Sequence, residues 1–330
     1  MNKNNRVSVD ITFGSIFWVL FFLLAVRFVA NIKDVLILVF SAVLITLAIC
    51  PLVDWLEKRK IPRRLSAITL LLTFFAALIS AGITIARPLT EQMDILIQKL
   101  PDLLSNLPIG FDLNQLTSQY VVPSQIYKLA VGTVTDFVAG LAVIVISFYM
   151  IQEMPNLPKY LEFWYGKEKG QRLHTITSKL EDEIGRWVRG EMMLMLIMGV
   201  LSYVGYSIVG LPYTIALGVM AGLLEIIPNI GPAVSVVPAF LVGLSISPVH
   251  AVGALVVALL AHQSENHFIA PYVMKKAAGL NPIVTIIVIM IGLELGGPAL
   301  SVLALPLVLS LRVVLAHIKV NKDTNIPEID

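Results

Sequence analysis

The stretch "GLPYTIALGVMAGLLEIIPNIGPAVSVVP", residues 210–238, places a carboxylate and a proline/glycine interruption inside a very apolar part of the chain. Glu225 is its one charged residue, and Pro228, Gly231 and Pro232 follow closely. Proline interrupts a helix because it lacks a backbone N–H donor and its ring clashes with the preceding turn. Backbone groups freed in this way survive at bilayer depth where they line a cavity or contact protein. The stretch therefore predicts a broken helix beside a carboxylate, inside a membrane.

The chain as a whole has the composition of an integral membrane protein. Hydrophobic residues make up 57% of its 330 residues and charged residues 14%, whereas soluble domains carry about 25% charged residues. Residues 35–53, 66–86 and 192–211 contain no Asp, Glu, Lys or Arg, and each reaches roughly the 20 residues that a bilayer core requires. A net charge of +2 without a dense basic tract argues against a nucleic-acid partner. The single cysteine, Cys50, excludes disulfides as an organising principle.

These patterns predict an all-α polytopic membrane protein with about eight transmembrane helices plus a re-entrant or broken-helix pair in the C-terminal half. The short apolar runs 231–247 and 249–263 form the expected re-entrant pair, and ten spans result if both runs cross instead. The predicted segments are three N-terminal transmembrane helices (1–86), an extracytoplasmic amphipathic segment (87–135), a fourth transmembrane helix (136–152), a cytoplasmic amphipathic segment (153–190), a transport core (191–318) and a cytoplasmic tail (319–330).

The distribution of Lys and Arg predicts the orientation. Residues 54–65 carry five basic residues and residues 153–191 carry seven, and short basic loops favour the cytoplasmic side. We therefore expect a multi-pass protein of the cell (inner or plasma) membrane with both termini in the cytoplasm. The first apolar run is long and lacks a small-residue cleavage site, so no cleavable signal peptide is predicted.

The C-terminal half contains two related stretches, 210–238 and 279–306. Each starts with Gly-Leu, places Met-x-Gly-Leu just before a glutamate (Glu225 or Glu294), and continues to Gly-Pro-Ala. Inverted repeats with paired Gly/Pro interruptions are the sequence pointer to a transporter's binding site. Chance similarity between common membrane residues is the alternative explanation.

Carboxylates inside the membrane are the first candidates for function. A charge at bilayer depth costs ~2.5–3.5 kcal/mol on insertion scales, so Glu225 and Glu294 are functional candidates. As an alternative, Glu225 lies near the cytoplasmic end and caps a helix or pairs with Lys275.

A second polar cluster is "HQSENHFIAPYVM", residues 262–274. The spacing of His262, Glu265 and His267 fits no established zinc motif, so we predict no metal site and no cofactor. The predicted substrate or ion path contains Glu225, Pro228, Asn229, Gly231, Pro232, Gln263, Glu265, Asn266, Glu294, Gly297 and Pro298.

Two blocks of this sequence resemble the autoinducer-2 exporter (AI-2E) family of bacterial and archaeal membrane proteins. They are "LPYTIALGVMAGLLEIIPNIGPAVSVVPAFLVGL" and "ENHFIAPYVMKKAAGLNPIVTIIVIMIGLELGGPALSVLALPLVLSLRVVL", which span most of 211–315. The positions that match the family are Glu225, Pro228, Gly231, Pro232, Asn266, Pro271 and Pro306. The resemblance implies a multi-spanning homo-oligomer that transports through a site in its C-terminal half. Some members are linked to export of the quorum-sensing signal and others to Na⁺(Li⁺)/H⁺ antiport.

We therefore expect a secondary transporter that exports a small hydrophilic organic molecule, such as autoinducer-2, by alternating access. Its expected partners are that polar solute, H⁺ or Na⁺, and membrane lipids. A Na⁺(Li⁺)/H⁺ antiporter that uses an intramembrane glutamate is the first alternative, and a non-transporting membrane scaffold is the second. No phosphate-binding loop, dinucleotide fingerprint or nucleophile–base pair is evident in the sequence, so an enzyme is not expected.

Overall fold

The computed structural model describes residues 13–105, 134–228, 230–274 and 282–323, and within these ranges it contains helices and no strand. The helices are α1 (Phe13–Lys58), α2 (Arg63–Ser105), α3 (Val134–Glu153), α4 (Leu157–Tyr165), α5 (Lys167–Val209), α6 (Thr214–Leu224), α7 (Ile230–Ile246), α8 (Pro248–Ser264), α9 (Ala270–Val273) and α10 (Pro282–Asp323). A 3₁₀ turn, Met154–Asn156, joins α3 to α4, and a π-helical segment, Glu265–Ile269, joins α8 to α9.

The predicted class, an all-α polytopic membrane protein, is confirmed. Among the described residues, five helical stretches are long and apolar enough to cross a membrane by length and composition: Asn31–Lys58, Arg63–Ala86, Phe137–Tyr165, Lys167–Val209 and Ile283–Ala316. The last of these is interrupted at Gly296 and Gly297. Shorter apolar helical stretches of the described residues accompany them: Leu20–Val29, which lies within α1, and the helices Thr214–Leu224 and Ile230–Ile246.

The N-terminal unit differs from the expected three helices. The described part of the first apolar run, 13–30, and the expected span 35–53 belong to one uninterrupted helix, α1, which has 46 residues. The polar residues between the two runs, Asn31 to Asp34, include no glycine or proline, and polar side chains alone do not end a helix. The helix α2 likewise continues past residue 86 to Ser105, so part of the predicted amphipathic segment 87–135 extends a helix. The remainder of that segment, 106–133, lies outside the described residues.

Arg63 ties the first three helices together. It starts α2, and its Nη1 donates hydrogen bonds to Asp54 and Glu57 of α1, the latter at 2.8 Å. Its Nε donates to the backbone oxygen of Ile151 in α3 at 3.0 Å. The basic segment 54–65, predicted as a short loop, comprises the end of α1, the turn 59–62 and the start of α2, and it holds α1, α2 and α3 in contact.

The long helix α5 is the helix against which most of the C-terminal half packs. It contacts α1, α4, α6, α8, α9 and α10. Its contact with α6 is built on glycine: a Cβ on Gly222 would lie 2.5 Å from the backbone oxygen of Met195, and one on Gly218 would lie 2.7 Å from Cβ of Tyr203. Small residues four apart let membrane helices approach to backbone contact. The two glycines thus set the position of α6, and with it the position of Glu225 at the end of α6.

The described residues of the C-terminal half form three helical hairpins. The helices α6 and α7 pack against each other on either side of the break that follows Leu224. Gly231 is required there because a Cβ would lie 1.9 Å from the backbone oxygen of Leu224. The helices α7 and α8 have 17 residues each, about 25 Å in length, and are joined by Ser247. This is the pair predicted as re-entrant, and its depth in the bilayer stays a prediction.

The helix α10 is the third hairpin. Its helical path breaks at Gly296 and at Gly297, where φ is 67° and ψ is −161°. The halves 282–295 and 298–323 fold back on each other, because a Cβ on Gly292 would lie 2.9 Å from Cα of Ser301. The Gly-Pro interruption predicted at 297–298 is therefore a tight turn between two helices.

Candidate functional site

Glu225 caps the C-terminal end of α6 and is 1% exposed. Its backbone N–H donates to the oxygen of Ala221 at 3.2 Å, so the helix lasts up to this residue. Pro228 then follows without an N–H, and the chain turns back into α7 at Ile230. The structure therefore contains the predicted break between two helices, with the carboxylate of Glu225 directly before it. The alternative partner Lys275 lies outside the described residues, as does the predicted site residue Asn229.

Glu265 starts the π-helical segment that follows α8, and it is 7% exposed. Pro271 lies shortly after this segment, and its missing N–H and bulky ring disturb the bonding of the preceding turn. Single π-helical turns inside membrane and soluble helices are frequent at functional sites. Here the widened turn places the carboxyl group of Glu265 in the protein interior, whereas the neighbouring Asn266 and His267 are exposed.

The side-chain carboxyl groups of Glu225 and Glu265 lie close enough to interact directly. An ionised carboxylate can only accept hydrogen bonds, so the two groups can bond to each other only when one of them carries a proton. The pair, which stands at the end of α6 and the end of α8, is therefore a candidate site for holding a proton.

A third buried carboxyl group, that of Glu191 on α5, completes the cluster. It is 4% exposed and interacts electrostatically with both Glu225 and Glu265. Its Oε1 has no hydrogen-bond partner among the described residues. Sequence reasoning missed Glu191 because it ends the charged segment 153–191 in the chain. The signal was present in its spacing, since Glu191 continues the buried stripe of α5.

His262 connects this carboxyl cluster to a cavity. Its Nδ1 lies 3.4 Å from Oε2 of Glu265, and neither atom has a hydrogen-bond partner among the described residues. Its Nε2 lies 3.0 Å from Nδ2 of Asn266. If the amide donates to Nε2, the proton of the neutral ring is on Nδ1 and faces Glu265.

The cavity lies between α5, α6, α7 and α8. The described residues that line it are Met198, Ser202, Tyr206, Ala221, Glu225, Pro232, Ser235, Ala258, Ala261 and His262. Hydroxyl groups of Ser202, Tyr206 and Ser235 give it polar walls beside the carboxyl of Glu225. None of these lining residues is Lys or Arg.

The predicted site residues fall into two groups. Glu225, Glu265 and Pro232 belong to the cluster or the cavity, and Gly231 with Pro228 shapes the break beside them. The structure does not bring the remaining residues into that cluster: Gln263, Asn266, Glu294 and Pro298 are exposed, and Gly297 forms the turn of the α10 hairpin.

The α10 turn lies at a different height of the bundle from the cluster. Nζ of Lys33 donates to the oxygen of Leu295 at 3.3 Å, while Nη1 of Arg189, near Glu191, donates to the oxygen of Leu47 at 3.2 Å. Lys33 and Leu47 both belong to α1 and are about 21 Å apart along a straight helix. The two Gly-Pro interruptions therefore lie at two different places in the bundle. The carboxyl cluster lies beside the first interruption, at 231–232.

The geometry is that of a broken-helix site in a membrane protein, and comparison with known proteins gives its family. The family described as AI-2E family transporter matches residues 16–319. This chain belongs to the AI-2E transporter family. The expected resemblance is thereby confirmed for nearly the whole chain.

Individual AI-2E relatives are distant but cover most of this chain. "Putative transport protein YrrI" of Bacillus subtilis is 23% identical over 87% of this chain and 87% of its own length. "Putative transport protein YueF" of the same organism is 28% identical over 78% of this chain and 76% of its own. "AI-2 transport protein TqsA" of Escherichia coli is 23% identical over 89% of this chain and 88% of its own. The AI-2E family assignment and these printed names make transport across a membrane the general function.

Proposed function

We propose that this AI-2E protein is a proton-coupled secondary transporter that exports a small hydrophilic organic molecule. The observation that carries the proposal is the pair of buried carboxyl groups, Glu225 and Glu265, which interact directly next to a cavity with polar walls. Ionisable residues inside membrane proteins mark substrate paths and proton relays. A pair that can hold a proton and also borders a cavity can exchange that proton when a solute arrives or leaves.

The broken helix supplies the second part of the proposal. The end of α6 tightens into a turn next to the buried carboxyl groups, where the N–H groups of Ile226 and Ile227 donate to the backbone oxygens of Leu223 and Leu224, three residues earlier. Transporter sites are typically formed by discontinuous helices of this kind. We place the protein in the cell membrane as a homo-oligomer with both termini cytoplasmic, which puts the basic loop 54–65 on the inner side.

The first solute to test is autoinducer-2. The support is the printed name of TqsA, which is 23% identical to this chain. A small hydrophilic molecule also suits the hydroxyl groups of Ser202, Tyr206 and Ser235 in the cavity wall.

Export is tested in cells that make autoinducer-2 but lack their own exporter. We expect wild-type protein to increase the amount of signal outside the cells, and the increase to shrink when the proton gradient is collapsed. Glu225→Gln should lower it to the level of cells without the protein. Glu183→Gln, an exposed change on α5, is the matched control and should retain export.

Unchanged signal accumulation with wild-type protein would exclude autoinducer-2 as the solute. Export that persists in Glu225→Gln at equal protein level would contradict the role of the carboxyl pair. Purified protein in liposomes gives the complementary measurement. Proton flux driven by a Na⁺ or Li⁺ gradient, without any organic solute, would favour cation/proton antiport instead.

A further inference from the structure

The side chain of His262 lies at the boundary between the buried carboxyl groups and the surface of the protein. Its Nδ1 is buried and lies 3.4 Å from Oε2 of Glu265, which is buried as well. The side chain of His262 as a whole is 36% exposed, so other atoms of the ring reach the surface. One side chain therefore touches both the buried carboxyl group and the outside of the protein.

The surface that this ring reaches is polar. Nε2 of His262 lies 3.0 Å from Nδ2 of Asn266, and Gln263, Asn266 and His267 are all exposed. Lipid tails offer amide and imidazole groups no hydrogen bonds, and leaving such groups without partners is costly. Side chains of this kind favour a surface that water reaches, where Nε2 can exchange a proton with water.

The carboxyl groups themselves are enclosed. Glu191, Glu225 and Glu265 are all buried. The cavity that Glu225 and His262 both line has room for about one water molecule, which is too little for a continuous chain of water to the surface. In this conformation, a proton that moves between the carboxyl groups and water therefore needs a side chain to carry it.

We propose that His262 carries protons between the polar surface at Asn266 and the carboxyl groups of Glu265 and Glu225. The proposal rests on the proposed proton-coupled transport and assigns the route by which its proton reaches the pair. Imidazole suits this role because it gains and loses a proton near physiological pH and has two distinct ring nitrogens. Glu265 in turn interacts directly with Glu225, which extends the route to the end of α6.

The other titratable side chains around this route, within the described residues, do not reach the surface. The helix α5 contributes Glu191 and Tyr206, and both are buried. Arg189 of α5 donates to the backbone oxygen of Leu47 on α1 instead. The helix α7, which packs against α8, carries no titratable residue. His262 is therefore the side chain in this part of the structure that connects the pair to water.

The transfer conserves atoms and charge. Nε2 of His262 takes a proton from water, the Nδ1–H bond breaks, and the proton from Nδ1 forms an O–H bond with Oε2 of Glu265. The ring is left neutral with its proton on Nε2, and the carboxylate becomes a neutral carboxylic acid. The separation of 3.4 Å shortens to the ~2.6–3.2 Å of a proton transfer by a small rotation of the ring. The reverse sequence returns the proton to water.

A proton-release experiment on the purified full chain in detergent tests this route without transport. A laser flash frees protons from ortho-nitrobenzaldehyde, and time-resolved infrared spectroscopy follows the C=O band of the protonated carboxyl pair, which is assigned by its change in Glu225→Gln. We expect His262→Gln to slow the rise of this band at least about tenfold, because a positioned proton-transfer group contributes roughly 10²–10⁴-fold. The final amplitude of the band should not change.

A rescue variant and a control variant complete the experiment. His262→Ala leaves space in which free imidazole can replace the lost ring, so added imidazole should restore the rate. The matched control is His267→Gln. His267 is exposed, and its Nδ1 lies 2.9 Å from the backbone oxygen of Gln263, so this change should leave the rate as in wild type.

Four results would overturn the proposal. The first is an unchanged rate in His262→Gln, and the second is an equal slowing in His267→Gln. The third is a slow rise in His262→Ala that imidazole does not restore. The fourth is a loss of the band's amplitude in both His262 variants, which would show that His262 only holds the carboxyl pair in place.

The experiment separates the proton route from the proposed function because it measures proton uptake alone. His262-dependent protonation in a protein that moves no protons in liposomes would overturn proton-coupled transport alone. Proton-coupled export by a protein whose carboxyl pair gains protons equally fast without His262 would overturn the route alone.

Discussion

Glu225, at the end of α6, and Glu265, at the start of the π-helical segment after α8, bring their buried carboxyl groups close enough to interact directly. This pair connects the first helical hairpin of the C-terminal half to the end of the second. It also makes the local structure depend on a proton, since two ionised carboxylates would repel each other. Folding and proton binding are therefore linked at this point of the molecule.

Two substitutions at Glu225 separate structure from proton binding. In Glu225→Gln the side-chain amide can still donate to Glu265, so we expect a melting temperature within a few degrees of wild type (roughly 1 kcal/mol or less). In Glu225→Ala the buried carboxyl of Glu265 loses its partner, which should destabilise the protein by about 1–3 kcal/mol. Thermal unfolding in detergent measures both. Equal melting temperatures for the two variants would show that the pair carries no structural role.

The contact between α5 and α6 should be intolerant of side chains. A Cβ on Gly222 would lie 2.5 Å from the backbone oxygen of Met195, so Gly222→Val must push α6 away and destabilise the protein by about 1–3 kcal/mol. The matched control is Gly140→Ala in α3, where an added Cβ meets nothing within 4 Å. There we expect no loss of stability, because alanine favours a helix over glycine by about 1 kcal/mol. Size-exclusion profiles and melting temperatures of both variants are the measurement.

Gly297 should be required for the α10 hairpin for a different reason. It has φ 67° and ψ −161°, a conformation that only glycine adopts without strain, while an added Cβ would meet nothing within 4 Å. Gly297→Ala should therefore destabilise by roughly 1–3 kcal/mol through the backbone alone. Gly297→Asn should be no better, since the ψ value lies outside the left-handed helical region that asparagine tolerates. A melting temperature of Gly297→Ala equal to that of Gly140→Ala would contradict this account.

Arg63 and Arg64 form a natural pair of test and control. Arg63 is largely buried and bonds to α1 and α3, whereas Arg64 is exposed. Arg63→Gln should destabilise by about 1.5–3 kcal/mol, because hydrogen bonds to a charged group are lost from a half-buried joint. Arg64→Gln should stay within about 0.5 kcal/mol of wild type. Both remove one positive charge, so a similar effect of the two would point to net charge and not to these contacts.

Much of the site could be predicted from local sequence, because its cause is local. Glu225 stands before a proline and a glycine that end one helix and start the next, and the structure shows that break. The same pattern at Glu294 was less informative. It predicts the turn at Gly297, but it does not say which face of the helix Glu294 occupies, and the structure places that side chain on an exposed face.

The features that the sequence did not predict depend on packing between helices that are distant in the chain. In the sequence, Glu191 is the last charged residue of a predicted cytoplasmic segment. In the structure it lies within α5, which continues through it as one helix of 43 residues. Its place beside Glu265 follows from how α8 packs against α5, which no local pattern encodes. The single long helix α1 was missed for a related reason, since a few polar residues between apolar runs suggest a loop when hydropathy alone is considered.

The glycine contact between α5 and α6 also affects how easily the two helices can move against each other. Gly199, Gly218 and Gly222 place backbone against backbone over this contact, where most helix pairs interlock bulky side chains. A surface without such side chains offers few rotamers that must change when one helix shifts along the other, so small sliding motions of packed helices meet less resistance there. The helix that ends in Glu225 therefore packs on α5 through a contact of this kind.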